Sequence, residues 1–109
     1  MKRKGISSIT YHDDLMRDLK NPTTAIGYLN LAMEDSDRRV FLLALRDVAE
    51  SWGGMTTISK ISKIPRITLY KILSKKGNPE IQTLDAILHA LGFRLSVMPL
   101  KPRKLRRAA

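Results

Sequence analysis

The chain has no cysteine, which excludes disulfides and thiolate-bound metal. No apolar run approaches the ~20 residues needed to span a bilayer. The opening MKRKGISSIT is basic but lacks the apolar core of a secretory signal. A soluble, cytoplasmic protein is therefore expected, with no membrane partner. Aromatic residues are also scarce. From Gly53 onward there are only Tyr70 and Phe93, too few to build a stacking platform for single-stranded nucleic acid. Acids are scarcer still in that half, where only Glu80 and Asp85 occur.

What is present is positive charge, unevenly distributed. Residues 1–52 hold eight bases and eight acids and sum to zero. Residues 53–109 hold twelve bases and two acids, so they carry the whole net charge of +10. A basic half joined to a neutral half suits a polyanion bound by one face. At 109 residues and 43% apolar content, the chain has enough material for one modest core.

Apolar spacing predicts helices almost throughout. Leu15, Met16 and Leu19 mark a short helix within Tyr11–Lys20. Asn21-Pro22 reads as an N-cap followed by Pro at the first helical position, opening a helix to about Met33 with Ala25, Ile26, Leu29 and Ala32 or Met33 on one face. Ser36 is the expected cap of the next helix, Asp37–Trp52. Its stripe of Val40, Phe41, Ala44, Leu45, Val48 and Trp52 makes it the expected central helix. Gly53-Gly54 should end it. Thr56 or Thr57 should cap a short helix running to about Lys63, and Pro65 should start another over Arg66–Lys76, stopped by Gly77-Asn78-Pro79. A last helix, Thr83–Leu91, should end at Gly92. Phe93–Met98 alternates like a strand, which needs a partner, either Ile6–Thr10 or its twin in a symmetric dimer. The tail KPRKLRRAA carries five bases and no acid.

On a helical wheel, Leu69, Ile72 and Leu73 form the inward stripe of Arg66–Lys76. Ile67, Lys71 and Ser74 fall opposite, Thr68, Tyr70 and Lys75 on the flanks, and Arg66 in the first turn. Two short helices around a tight turn, the second basic on its outer side, are the usual means by which a small protein puts a helix into the DNA major groove. Arg66 and Lys71 suit guanine O6 and N7, Thr68 a base or a phosphate, and Ile67 a thymine methyl. Tyr70 suits the sugar-phosphate edge of the same surface. Thr56, Thr57 and Lys60 before the turn, and Ser74, Lys75, Lys76 and Asn78 after the reading helix, are the expected phosphate contacts.

Two stretches carry a resemblance. LALRDVAESWGGMT and RITLYKILSKKGNPEIQTLDAILHALGFRLSV, with the lead-in LKNPTTAIGYLNLAMEDSD, resemble the addiction-module antidote proteins. These are small antitoxins with a helix-turn-helix of the phage-repressor (Xre) type. LYKxLSxxGNP followed by TLxxxLxALG is the more specific part, and the resemblance spans roughly residues 11–98. It implies a mainly α, lambda-repressor-like fold. That fold would be a five-helix helix-turn-helix domain with an extra N-terminal helix and a short C-terminal strand. Residues 1–98 would make one domain (11–52 lead-in, 53–98 reading half), and 99–109 a basic tail. It also implies a homodimer that represses its own operon at a palindromic operator, and a toxin partner of the mRNA-endonuclease type. Carried over, the reader positions are Arg66, Thr68, Tyr70 and Lys71. The chain departs from the pattern in its turn, where Lys63-Ile64-Pro65 stands in place of glycine and a serine cap. Ser59 likewise stands where alanine is usual. Lys63 there would need an altered backbone.

The expected function is that of a DNA-binding repressor acting as the antitoxin of a type II toxin–antitoxin module. A stand-alone prophage-type regulator without a toxin is the alternative. An RNA-binding or architectural protein would show little sequence preference. An enzyme, cofactor or metal site finds no support. His12 and His89 are far apart, and His12, Asp13 and Asp14 are adjacent on a helix and do not face one another. No nucleophile–base pair or phosphate-cradling glycine loop occurs.

Overall fold

The computed structural model describes residues 11–100 of the chain, and these form six helices and no strand. The first, α1, is helical from residue 11, the first described, to 18. Asn21 then accepts the amides of Thr23 (2.9 Å) and Thr24 (3.4 Å), and Pro22 opens α2, Pro22–Met33. This is the start that Asn-Pro encodes. The cap fills two amides that the first turn leaves without partners, and proline has no amide to satisfy.

Helix α3, Arg38–Ser51, is capped by Asp37 rather than Ser36. Asp37 accepts the Arg39 amide at 3.0 Å and chelates its guanidinium, while Asp35 takes the Asp37 amide at 2.8 Å. These bonds hold the Asp37 carboxyl down at about pKa 2, chiefly through the Arg39 side chain and amide. The buried face of α3 is Phe41, Leu42, Ala44, Leu45, Val48 and Ala49, whereas Val40 is 37% exposed. Trp52 is half-buried. Its indole N–H donates to the Leu19 carbonyl, which ties the end of α1 to α3.

Helix α4, Gly54–Ser62, starts before either threonine. Gly53 adopts φ 111°, a left-handed value open to glycine, and swings the chain directly from α3 into α4. The glycine pair is thus a hinge between helices and not a loop. The Thr57 hydroxyl bonds back to the Gly53 carbonyl at 3.0 Å instead of capping. Helix α5, Arg66–Ile72, is shorter than expected. Leu73 leaves helical geometry at ψ 53°, so Ser74, Lys75 and Lys76 lie in the turn that follows. Helix α6, Ile81–Ala90, begins two residues early and is closed by Gly92 at φ 85°.

Helix α2 packs on α3, α3 on α4, and α4 on both α5 and α6. The core joins Leu19, Leu29, Leu45, Val48, Ile58, Leu69, Leu73, Ile87 and Leu91. Phe93 packs against Trp52 with ring centroids 5.2 Å apart. Residues 94–100 then run on without secondary structure. The expected strand Phe93–Met98 is therefore absent from the described chain, because nothing there supplies a partner ladder. Its proposed partner Ile6–Thr10 and most of the basic tail lie outside the described residues.

Candidate nucleic-acid interface

The turn between α4 and α5 departs most from a generic design, and the structure shows how it closes. Lys63 has φ 66°, a left-handed value costly for a side-chain-bearing residue. Two serines of α4 hold it there. The Ser59 hydroxyl donates to the Ile64 carbonyl at 2.6 Å. Ser62 donates to the Ile58 carbonyl at 2.6 Å and accepts the Ile64 amide at 3.2 Å. Ile64 tucks against the core, and the Pro65 carbonyl receives the Leu69 amide, starting α5.

From that turn α5 lies across the core with Leu69 and Leu73 fully buried and Ile72 partly so. The inward stripe is the one the wheel placed there. Arg66, Ile67, Thr68, Tyr70 and Lys71 are all exposed. Ile67 is 73% exposed and Tyr70 40%. The Tyr70 ring is not free of the protein, since the Arg46 guanidinium of α3 lies 5.3 Å from its centroid. Arg46 was not among the expected residues. Its spacing on α3 gave no sign that it would meet α5.

The expected phosphate contacts divide. Thr56, Lys60, Lys75, Lys76 and Asn78 are exposed. Thr57 and Ser74 are half-buried and their hydroxyl protons are already committed, to Gly53 and to the Lys71 carbonyl at 2.7 Å. A hydroxyl so committed can still accept, but cannot donate to a phosphate without breaking a local bond. From residue 53 to residue 79 the chain has six bases and no acid. All six (Lys60, Lys63, Arg66, Lys71, Lys75 and Lys76) are exposed, and no ion pair engages them among the described residues. His89 on α6 is exposed and sits 3.2 Å from Asp85.

The arrangement is a small helical protein whose α4, α5 and connecting turns present an uncompensated cationic surface. The chain belongs to the family of probable addiction module antidote proteins, whose family model matches residues 5–99. It is similar to an uncharacterized protein of Haemophilus influenzae, 34% identical over 70 residues, which cover 64% of this chain and 71% of that one. No solved structure matches it. Among the described residues, no helix is long and apolar enough to cross a membrane.

Proposed function

We propose that the chain is a sequence-specific DNA-binding repressor and the antitoxin of a type II toxin–antitoxin module. In this reading α4 and α5 form a phage-repressor-type helix-turn-helix within a five-helix domain, and the toxin resembles a small mRNA endonuclease. The observation that carries the DNA-binding half is the division of α5. Leu69 and Leu73 are sunk in the core while Arg66, Ile67, Thr68, Tyr70 and Lys71 all face outward. A large aliphatic residue such as Ile67, held 73% exposed in the middle of a cationic face, gains a partner when a thymine methyl covers it. Lys60, Lys75 and Lys76 then bear on phosphates and supply most of the affinity, with its steep salt dependence.

A two-fold dimer would set two α5 helices about 34–36 Å apart on a palindromic operator. Residues 93–98 are its proposed seam. Their apolar side chains include Val97 and Met98, both strongly exposed, and cross-pairing of two such segments supplies the missing ladder. The antitoxin half rests on family membership.

Protection mapping on the DNA upstream of the gene, followed by a base-substituted panel at fixed salt, tests the DNA-binding reading. Arg66→Ala and Lys71→Ala should each relax preference at one position, at a cost of about 1–3 kcal/mol. Lys75→Ala should weaken all sequences alike and lower the salt slope by about 1. Unchanged discrimination in both Arg66→Ala and Lys71→Ala refutes the assigned face. A stand-alone regulator would purify without the product of the adjacent reading frame and bind its operator unaided.

A further inference from the structure

The chain has 20 bases and 10 acids, yet three of those acids line one groove that no base lines among the described residues. The groove lies between α2 and α3 and has a volume of about 570 Å³, with Leu31, Val40 and Leu43 among its apolar lining and Glu34, Asp35 and Asp47 among its polar lining. Leu31 is a large apolar side chain 70% exposed among the described residues. Two of the acids are fixed in place. The Tyr28 hydroxyl donates to Asp47 Oδ2 at 2.6 Å. Burial, followed by this bond, raises the Tyr28 hydroxyl well above its ordinary range, so it stays protonated and donating. Asp35 is held by the Asp37 amide. An apolar groove lined by three acids, two of them held by hydrogen bonds, suits an apolar ligand of the opposite sign.

A second copy laid groove on groove is a poor occupant, because that pairing would bring six carboxylates together. The α5 face is also kept apart. Leu43 and Asp47 turn toward the groove, while Arg46 between them turns to Tyr70.

We propose that this groove is the docking site for the toxin. It would receive a cationic amphipathic segment with one or two large apolar side chains against Leu31, Val40 and Leu43. Lys or Arg residues beside them would meet Glu34, Asp35 and Asp47. The inference rests on the antitoxin reading above, and places its protein partner on a surface separate from the cationic one.

The test titrates the purified product of the adjacent reading frame into wild type, Leu31→Arg, Glu34→Lys and Lys71→Ala by calorimetry. Thermal melts verify that each variant is folded; both groove positions are exposed. Leu31→Arg should weaken binding by about 100-fold and Glu34→Lys by about 10-fold, the latter less at high salt, while Lys71→Ala binds as wild type. If wild type binds and folded Leu31→Arg and Glu34→Lys bind equally well, the groove assignment is overturned and the antitoxin reading stands. If wild type does not bind, the antitoxin reading itself falls, and the groove proposal with it. Should the groove variants alter self-association instead of partner affinity, or should deletion of residues 101–109 tighten partner binding as a released competitor would, the groove belongs to this chain and the proposal is overturned.

Discussion

Gly77 is expected to be the least replaceable glycine in the described chain, and for a steric reason. It is not among the glycines at positive φ, so a left-handed backbone is not what calls for glycine there. The obstacle is the end of α5. A Cβ built on Gly77 would lie 1.8 Å from the Ile72 carbonyl oxygen and 2.6 Å from its carbon, where ordinary contact begins at 3.4 Å. The oxygen would have to retreat about 1.6 Å, the difference between those distances. No flexible side chain is available to yield. Ile72 is the last residue of α5, and the turn beyond it is pinned by the Leu73 amide on Leu69 (2.9 Å) and the Gly77 amide on Ser74 (3.0 Å). Forcing a Cβ in must therefore move the helix end or the turn. Overpacking of this kind costs about 1–3 kcal/mol, and the rigid contact puts Gly77→Ala at about 3 kcal/mol. In a protein of this size that lowers Tm by roughly 12–24 °C. Gly92→Ala is the control. Gly92 has φ 85° and open space around its Cβ position, so only the left-handed penalty of about 1 kcal/mol applies, a loss of about 4–8 °C. Circular-dichroism melts of the two variants decide the matter. Gly77→Ala melting within about 2 °C of wild type, or above Gly92→Ala, would refute the close-approach reasoning.

Three further outcomes follow from the same structure. Leu69→Ala should cost about 2–5 kcal/mol in urea unfolding, whereas Ile67→Ala, two residues away on the exposed side, should stay within about 0.5 kcal/mol. Ser59→Ala removes the 2.6 Å bond to the Ile64 carbonyl and should cost about 1 kcal/mol, or more if that carbonyl finds no water. Asp37 has a folded pKa of about 2 against an ordinary 3.8. Its contribution is full above about pH 4 and is lost as pH falls through about 2, so Asp37→Asn should flatten the stability profile across that acid window when urea midpoints are compared.

Local signals were legible where a few adjacent residues decide the outcome. Asn21-Pro22 opened α2 as expected, because cap and proline act within one turn. The α5 stripe was legible because Leu69, Ile72 and Leu73 follow the helical period. The cap of α3 was misplaced by one residue, since Ser36 and Asp37 both qualify. The choice fell to Asp37 through its bonds to the amide and guanidinium of Arg39. Gly53-Gly54 read as a stop, yet Gly54 became the first residue of α4. A glycine pair permits a left-handed corner, and only packing shows that the corner joins two helices directly. The strand could not be decided from one chain, because strand composition without a partner gives no ladder. Neither Arg46 beside Tyr70 nor the α2–α3 groove follows from spacing. Both arise where separate helices meet.

A seven-residue helix has too few internal hydrogen bonds to stand alone in water, so the orientation of α5 must come from its surroundings. Four constraints supply it. Leu69 and Leu73 anchor its inner side in the core. The Ser59 and Ser62 hydroxyls fasten the turn before it, offsetting the left-handed backbone at Lys63. The backbone approach at Gly77 fixes the turn after it, and Arg46 lies against Tyr70 at 5.3 Å. None of these uses the side chains of Arg66, Ile67, Thr68 or Lys71. The residues that hold the helix and the residues it displays are separate sets, Tyr70 alone belonging to both. The displayed side can therefore change chemically without loosening the support, which is what the proposed reading role would require of it.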